Sequence, residues 1–318
     1  MKTLLITRPL PDPVIAKAQT GFAVTLRQET SAMTPAELRD SLRDFDAVLP
    51  AIGDLYSADV FADVPNPRAK VLANFGVGYN HIDTEAAIKA GLKVSNTPGA
   101  VTDATADIAL TLMLMTSRRA GEGERILRAG QWHGWHPTQF LGMHMSGKTV
   151  GIVGMGRIGQ AIAKRCHFGF GMTVKYVNRS VKPMDFPAQQ IDNLISLAGQ
   201  VDILVVAVPG GAETQHLIDA SVFDAMPFTS LFINIARGEI VDEQALIAAL
   251  QAKSIAGAGL DVYEFEPHVP EALIALENTT LLPHLGTAAL DVRTDMGLMA
   301  VDNLLAFDQG LALPNGVN

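Results

Sequence analysis

Residues 151–159 read Gly-Ile-Val-Gly-Met-Gly-Arg-Ile-Gly, so Gly154, Gly156 and Gly159 fall on the spacing G-x-G-x-x-G. The apolar run Lys148–Val153 before them reads as a buried strand, and Arg157–His167 after them as a helix. In that setting each glycine has a physical reason. Gly154 permits the tight turn, Gly156 lets the backbone approach a pyrophosphate, and Gly159 lets the helix press on the strand. The pyrophosphate then lies over free N–H groups at the helix N-terminus, within reach of Arg157 and Ile158. A strand–turn–helix of this kind commits the region to a parallel sheet that binds a dinucleotide.

The second strand of that unit, Met172–Val177, ends at Asn178-Arg179-Ser180. A site for NAD usually places a carboxylate there, to accept from the ribose hydroxyls. None is present. Arg179 can pair with a 2′-phosphate and Ser180 can hydrogen-bond it, which favours NADP(H) over NAD(H). Arg179 also reads as an ordinary loop arginine.

Alternation of strand and helix runs through the chain. The first hundred residues offer strands at Thr3–Arg8, Asp46–Pro50 and Ala69–Phe75, with a capping box at Thr34-Pro35-Ala36-Glu37. Thr84 is placed as the cap of a helix ending at Gly91, and Lys93–Ser95 as the start of the exit. One long helix is expected over Val101–Arg128, buried along its apolar stretch Ile108–Met115. Later strands are expected at Asp202–Val208, Leu231–Ile235, Ile255–Leu260 and Thr279–Leu282, a helix opening at Asp242-Glu243-Gln244, and a last helix over Thr287–Phe307. The fold class is therefore α/β, with two Rossmann-like domains built on parallel sheets.

Composition narrows the function. The net charge is −9 with no long basic run, which argues against nucleic acid. No stretch is apolar enough to span a membrane, and the opening residues are too short an apolar run for a signal peptide, so a cytoplasmic protein is expected. The single Cys166 excludes an intrachain disulfide and a cysteine-based metal site, and its place inside the helix after the glycine loop suggests packing. No metal is expected.

Three polar residues sit where later strands should end: Arg237 in Asn234-Ile-Ala-Arg-Gly, Glu266 in Asp261-Val-Tyr-Glu-Phe-Glu-Pro, and His284 in Leu282-Pro-His-Leu-Gly. Ligands of open α/β sheets bind beyond those ends. Taken singly, each has an ordinary structural role open to it: surface arginine, solvated acid, core histidine. Together they suit reduction of a ketone, where the alkoxide left by hydride transfer needs a proton. An imidazolium can supply it, a neighbouring carboxylate favours and orients the charged ring, and a guanidinium can hold an α-keto acid.

On GMGRIG (154–159), NIARGEIVDE (234–243), GLDVYEFEP (259–267) and PHLGTA (283–288), the whole chain resembles the D-isomer-specific 2-hydroxyacid dehydrogenases. The resemblance implies that Arg237 binds substrate, Glu266 orients and tunes the histidine, and His284 is the general acid/base. It implies two domains with the active site in the cleft between them. The substrate-binding domain would be discontinuous, 1–99 with 288–318, and the dinucleotide-binding domain would be 100–287. It further implies that the N–H groups of Val77 and Gly78, in Asn74-Phe-Gly-Val-Gly-Tyr-Asn, hold the substrate carboxylate. Thr105, Ile235, Ala236, Asp261 and Gly286 would lie on the nicotinamide side, and Val208, Pro209 and Thr214 beside the adenosine and phosphates.

Within the family the glyoxylate/hydroxypyruvate reductases look most similar. Asn178-Arg179-Ser180 agrees with their use of NADP(H), and Gly130–Trp135 resembles the segment whose second tryptophan borders the partner's pocket. That implies a homodimer through region 100–140, with Trp135 and Thr287 near substrate. Bulky Phe75 and Thr287 depart from the pattern and bear on which keto acid fits. Two other readings compete. One is a dinucleotide-sensing binding protein, as corepressors related to the family are; intact Arg237, Glu266 and His284 favour catalysis. The other is a phosphoglycerate dehydrogenase-like enzyme, which often carries an added regulatory domain, whereas 34 residues follow His284 here.

Overall fold

Two sheets organise the chain, and every strand pairing in both is parallel. The computed structural model describes all of residues 1–318. They form two compact units, 1–101 with 288–318, and 102–287.

The first unit runs β1 (Lys2–Ile6), α1 (Asp12–Ala18), β2 (Phe22–Leu26), α2 (Pro35–Asp44), β3 (Ala47–Leu49), α3 (Ala58–Ala62), β4 (Val71–Ala73), α4 (Thr84–Lys89) and β5 (Lys93–Ser95). Its sheet order is β2-β1-β3-β4-β5. Parallel strands covered on both faces read as unbroken apolar runs. Leu4, Leu5 and Ile6 of β1 and all of β3 and β4 are accordingly buried. The capping box at Thr34 and Glu37 forms as expected. Asp83, not Thr84, caps α4, accepting from the Ala86 N–H at 2.8 Å. Lys93–Ser95 is a full edge strand rather than an exit.

The second unit runs α5 (Thr102–Ser117), α6 (Ala120–Arg128), β6 (Thr149–Val153), α7 (Arg157–Phe170), β7 (Thr173–Val177), β8 (Ala188–Gln190), α8 (Leu194–Ala198), β9 (Ile203–Val206), α9 (Ala220–Ala225), β10 (Leu231–Asn234), α10 (Glu243–Gln251), β11 (Gly257–Leu260), α11 (Glu271–Ile274) and β12 (Thr279–Leu281). The closing helix α12 (Leu290–Asp308) belongs to the first unit, where Ala300, Val301 and Leu304 pack with Leu4 and Ile6. The second sheet has the order β12-β11-β10-β9-β6-β7-β8. Along β9, Ile203 and Val205 pack on the α5–α7 face while Leu204 and Val206 pack on the α8–α10 face. No helix is long and apolar enough to cross a membrane.

The helix expected over 101–128 is two helices. The Ser117 carbonyl accepts from the returning Met143 N–H at 2.7 Å, and Arg119 turns left-handed (φ 52) while its guanidinium grips Glu122. A bond to a distant segment thus interrupts the helical ladder. Of the two, α5 is the buried one; α6 buries no residue.

Register explains why chemistry collects at one edge. Val153 lies opposite Val177 and Val206, Val206 opposite Asn234, Asn234 opposite Leu260, and Leu260 opposite Leu281. The residues that follow these six strand ends therefore emerge side by side.

Cys166 on α7 is fully buried, and burial pushes its thiol up to about 12. The thiolate is the reactive form. The native protein should consume less than about 0.1 equivalent of Ellman's reagent at pH 8, and one equivalent after denaturation. Rapid stoichiometric labelling of the native state would contradict this packing.

Candidate active site

The glycine loop joins β6 to α7. Gly154 has φ +99, and a Cβ there would come within 2.6 Å of Val208 and 2.9 Å of the Ala207 backbone. A Cβ on Gly159 would lie 2.1 Å from the Gly154 carbonyl oxygen, so the helix meets the loop with no room for a side chain. Gly156 instead faces open space, at the N-cap of a 14-residue helix whose first N–H groups receive no side-chain cap. That is the arrangement a pyrophosphate requires.

Beside it, Asn178 has its side chain committed. Oδ1 accepts from the Met155 N–H at 3.1 Å and Nδ2 donates to the Ser180 carbonyl at 2.8 Å. Asn178 therefore shapes the strand end, leaving Arg179 and Ser180 exposed beyond it. The Arg179 guanidinium lies 3.8 Å from Glu213, both almost fully in solvent. Thr214 closes the facing loop by donating to the Pro209 carbonyl at 2.8 Å, next to half-buried Val208.

The three polar residues leave the sheet on adjacent strands. After β10, Asn234 folds the chain back: Nδ2 donates to the Arg237 carbonyl at 2.9 Å and Oδ1 accepts from the Ala236 N–H at 3.0 Å. Ile235 and Ala236 are buried; Arg237 is half-buried and donates to the Ala236 carbonyl at 2.6 Å. Burial lowers its pKa, against the charges of Glu239 and Glu266. It remains a cation.

After β11, Asp261 is 1% exposed. Its oxygens accept from the N–H groups of Leu285 at 2.6 Å and Gly286 at 2.8 Å, and its backbone carbonyl accepts from the His284 N–H at 3.0 Å. One residue thereby holds 284–286. Burial raises its pKa, opposed by the Leu285 N–H, the His284 charge and the Gly286 N–H. Thr105, buried on α5, donates weakly to the Gly286 carbonyl at 3.4 Å. Thr287 is half-buried just beyond.

His284 occupies the left-handed backbone region (φ 54), which is uncommon outside glycine and persists where the surroundings enforce it. Nδ1 meets Glu266 Oε2 at 2.8 Å, and the Tyr263 N–H donates to Glu266 Oε1 at 3.0 Å. Nδ1 is thus engaged and Nε2 is the atom left for a reactant. For Glu266, burial pushes its pKa upward. The hydrogen bond and charge of His284, the Tyr263 N–H and the Arg237 charge outweigh that and hold it below its usual value.

In the first unit, the loop after β4 is drawn inward by its carbonyls. Asn74 donates to the Gly76 and Gly78 carbonyls at 3.0 and 2.9 Å, and Asn96 donates to the Val77 carbonyl at 2.8 Å. Val77 and Gly78 are half-buried. Trp135 is 77% exposed, in a stretch that also exposes Leu127, Trp132 and Leu141.

Sequence reasoning missed Asn74, Asn96 and Asn234 as loop-shaping groups. An asparagine at each strand end was the available signal, since its side chain folds readily onto nearby backbone. It also missed a second carboxylate–histidine pair, Glu264 with His216.

A parallel doubly wound sheet, a glycine turn for a pyrophosphate and an acid-supported histidine beyond neighbouring strands define a dinucleotide-dependent oxidoreductase. The chain belongs to the D-isomer-specific 2-hydroxyacid dehydrogenases, whose NAD-binding domain matches residues 110–286. The resemblance drawn from the motifs is thereby borne out. The chain is 41% identical to the glyoxylate reductase of Thermococcus kodakarensis, over 99% of this chain and 96% of the relative. It is 36% identical to the glycerate dehydrogenase of Hyphomicrobium methylovorum, over 95% and 94%. Among solved structures it is similar to the NADPH-dependent glyoxylate/hydroxypyruvate reductase of Sinorhizobium meliloti in complex with NADP and malonate. That likeness has a TM-score of 0.88 and 34% identity, over 99% of this chain and 96% of that one.

A carboxyl held below its unfolded pKa contributes stability above the unfolded value and loses it as pH falls through the folded one. The stability advantage of the wild type over Glu266→Gln should therefore shrink as pH falls from about 5 to about 3. Urea unfolding midpoints across that range check it, and a level difference would contradict the pairing.

Proposed function

We propose that this protein reduces a small 2-keto acid, of the glyoxylate or hydroxypyruvate kind, to the D-2-hydroxy acid, using NADPH in preference to NADH. The observation that carries this reading is the 2.8 Å pairing of His284 Nδ1 with Glu266 at the sheet edge that also carries Arg237 and the glycine loop. The D configuration follows from the family.

The residues present fit the coenzyme. The N–H groups at Arg157 and Ile158, with Gly154, Gly156 and Gly159, receive the pyrophosphate. Asn178, Val208, Pro209 and Thr214 border the adenosine side, and Arg179 and Ser180 receive the 2′-phosphate. The Arg179–Glu213 pair, fully exposed, holds little and yields to a dianion. Thr105, Ile235, Ala236, Asp261 and Gly286 border the nicotinamide. When bound, the reduced nicotinamide supplies the hydride.

On the substrate, the N–H groups of Val77 and Gly78 and the guanidinium of Arg237 bind the carboxylate. Arg237 also draws electron density toward the C2 carbonyl oxygen. Glu266 fixes the ring of His284 through Nδ1. As C2 gains the hydride, the carbonyl oxygen takes the proton from His284 Nε2, leaving a neutral imidazole to be reprotonated from solvent. Phe75 and Thr287 bear on what fits at the substrate's third carbon. A homodimer forms through region 100–140, which exposes Leu127 and Trp132, and brings Trp135 to the partner's pocket.

His284→Ala should lower kcat at least about 100-fold while leaving the dissociation constant for NADPH within about 3-fold. Equal turnover in that variant removes the proton-donor assignment. Arg179→Ala should raise KM for NADPH about 10-fold or more and for NADH less than about 2-fold, since a hydrogen bond to a charged group contributes roughly 1.5–3 kcal/mol. Equal effects on both coenzymes remove the assignment of the phosphate site.

A further inference from the structure

The loop after β11 carries two acids two residues apart, and each meets a histidine from a different loop. Glu266 meets His284, whose role is given above. Glu264 Oε1 meets His216 Nε2 at 2.7 Å, and no step of the reduction uses that pair. It is unlike an incidental surface contact, because the Glu264 side chain is only 14% exposed. A carboxylate largely withdrawn from water needs a partner to offset its lost hydration.

The placement of His216 is as constrained as that of His284. Its backbone is left-handed (φ 48), and its N–H donates to the Glu239 carbonyl at 2.9 Å, two residues past Arg237. The Ile218 N–H, two residues on, donates to the Ile240 carbonyl at 3.0 Å. The segment 214–218 is therefore laced by backbone to the turn that carries Arg237, and by one ring to the loop that carries Glu266. That loop is held from a third side, where the Glu264 N–H donates to Glu243 Oε1 at 3.3 Å, at the start of α10. The Arg237 turn presses directly on it: a Cβ at Gly238 would fall 1.8 Å from the Tyr263 carbonyl carbon. The neighbouring Tyr263 N–H is the donor to Glu266 Oε1.

We propose that His216 and Glu264 are positioning residues for the reduction, a charged clasp that fixes the 263–264 peptide and, through the Tyr263 N–H, the carboxylate of Glu266 that orients His284. The proposal rests on the reading of His284 as proton donor. The charged groups facing His216 are Glu264 and Asp242 at the cap of α10. The hydrogen bond to Glu264 raises the His216 pKa above 6.5 against slight burial, helped by the charges of Glu264 and Asp242. A raised histidine holds its contribution below the unfolded value and loses it as pH rises through the folded one. The clasp therefore weakens on the alkaline side.

The test uses the full chain with Glu264→Gln, His216→Gln, both together, and His284→Ala. The readouts are kcat and KM against pH, and exchange of the Tyr263 amide hydrogen. Each single change should lower kcat about 10-fold, below the roughly 100-fold that a displaced reacting group costs, with KM for NADPH within about 2-fold. The double variant should be no worse than the poorer single, because the two residues act as one unit. The kcat profiles of the variants should flatten on the alkaline side, and Tyr263 should exchange faster. Should Glu264→Gln fail to fold, His216→Gln carries the same measurements, its ring being partly exposed. Single effects that multiply in the double variant, or an unchanged kcat profile with unchanged Tyr263 exchange, overturn the clasp. Full turnover in His284→Ala with faster Tyr263 exchange in Glu264→Gln overturns the proton-donor reading instead and leaves the clasp as a structural bond alone.

Discussion

Asp261 is a carboxylate taken out of water and spent wholly on backbone. Its two oxygens and its own carbonyl receive three successive N–H groups, those of His284, Leu285 and Gly286. Leaving even one such buried donor unmatched costs about 1–3 kcal/mol, so the three bonds act as a strong constraint on a short segment. Their joint geometry holds His284 in a backbone region that a histidine seldom occupies. The direction of the imidazole, the meeting of Nδ1 with Glu266 and the availability of Nε2 all follow from that one anchor. The pairing of β11 with β12 brings the two strand ends close enough for it to form.

The same economy recurs along the sheet edge. Each of these candidate-site loops is held by a side chain that reaches back to the backbone: Asn234 for the Arg237 turn, Asn178 for the Arg179–Ser180 end, Thr214 for the loop after Pro209. Tight turns supply geometry, and short polar side chains make it single-valued. His284 is then left with Nε2 uncommitted. Preorganisation of this kind lets charge develop without rearranging the site.

Much of the fold was readable because parallel sheets covered on both faces demand apolar runs separated by helices. The runs at β1, β3, β4, β6, β7, β9, β10, β11 and β12 all stood out. The edge strands β2 and β8 and the short helices α1, α3, α8, α9 and α11 did not, since half-buried edges and helices of four to seven residues carry little periodicity. The break between α5 and α6 was invisible for a different reason: the Met143 N–H that interrupts the ladder lies 26 residues past Ser117. Arg237, Glu266 and His284 could be chosen by residue type and by their place after strands, whereas nothing local singled out Glu264, whose partner His216 lies 48 residues earlier in the chain.

The order of residues along the chain determined the βα units, the glycine turn, the family and the choice of Arg237, Glu266 and His284 as candidate site residues. These depend on local spacing and on side-chain chemistry, which are properties of the string. Tertiary structure alone decided which nitrogen of His284 stays free, that Asp261 serves backbone rather than solvent, and that Glu264 and Glu266 take different histidines. Each of those outcomes depends on strand register and loop direction. They bring together groups dozens of residues apart, and no local preference encodes that meeting.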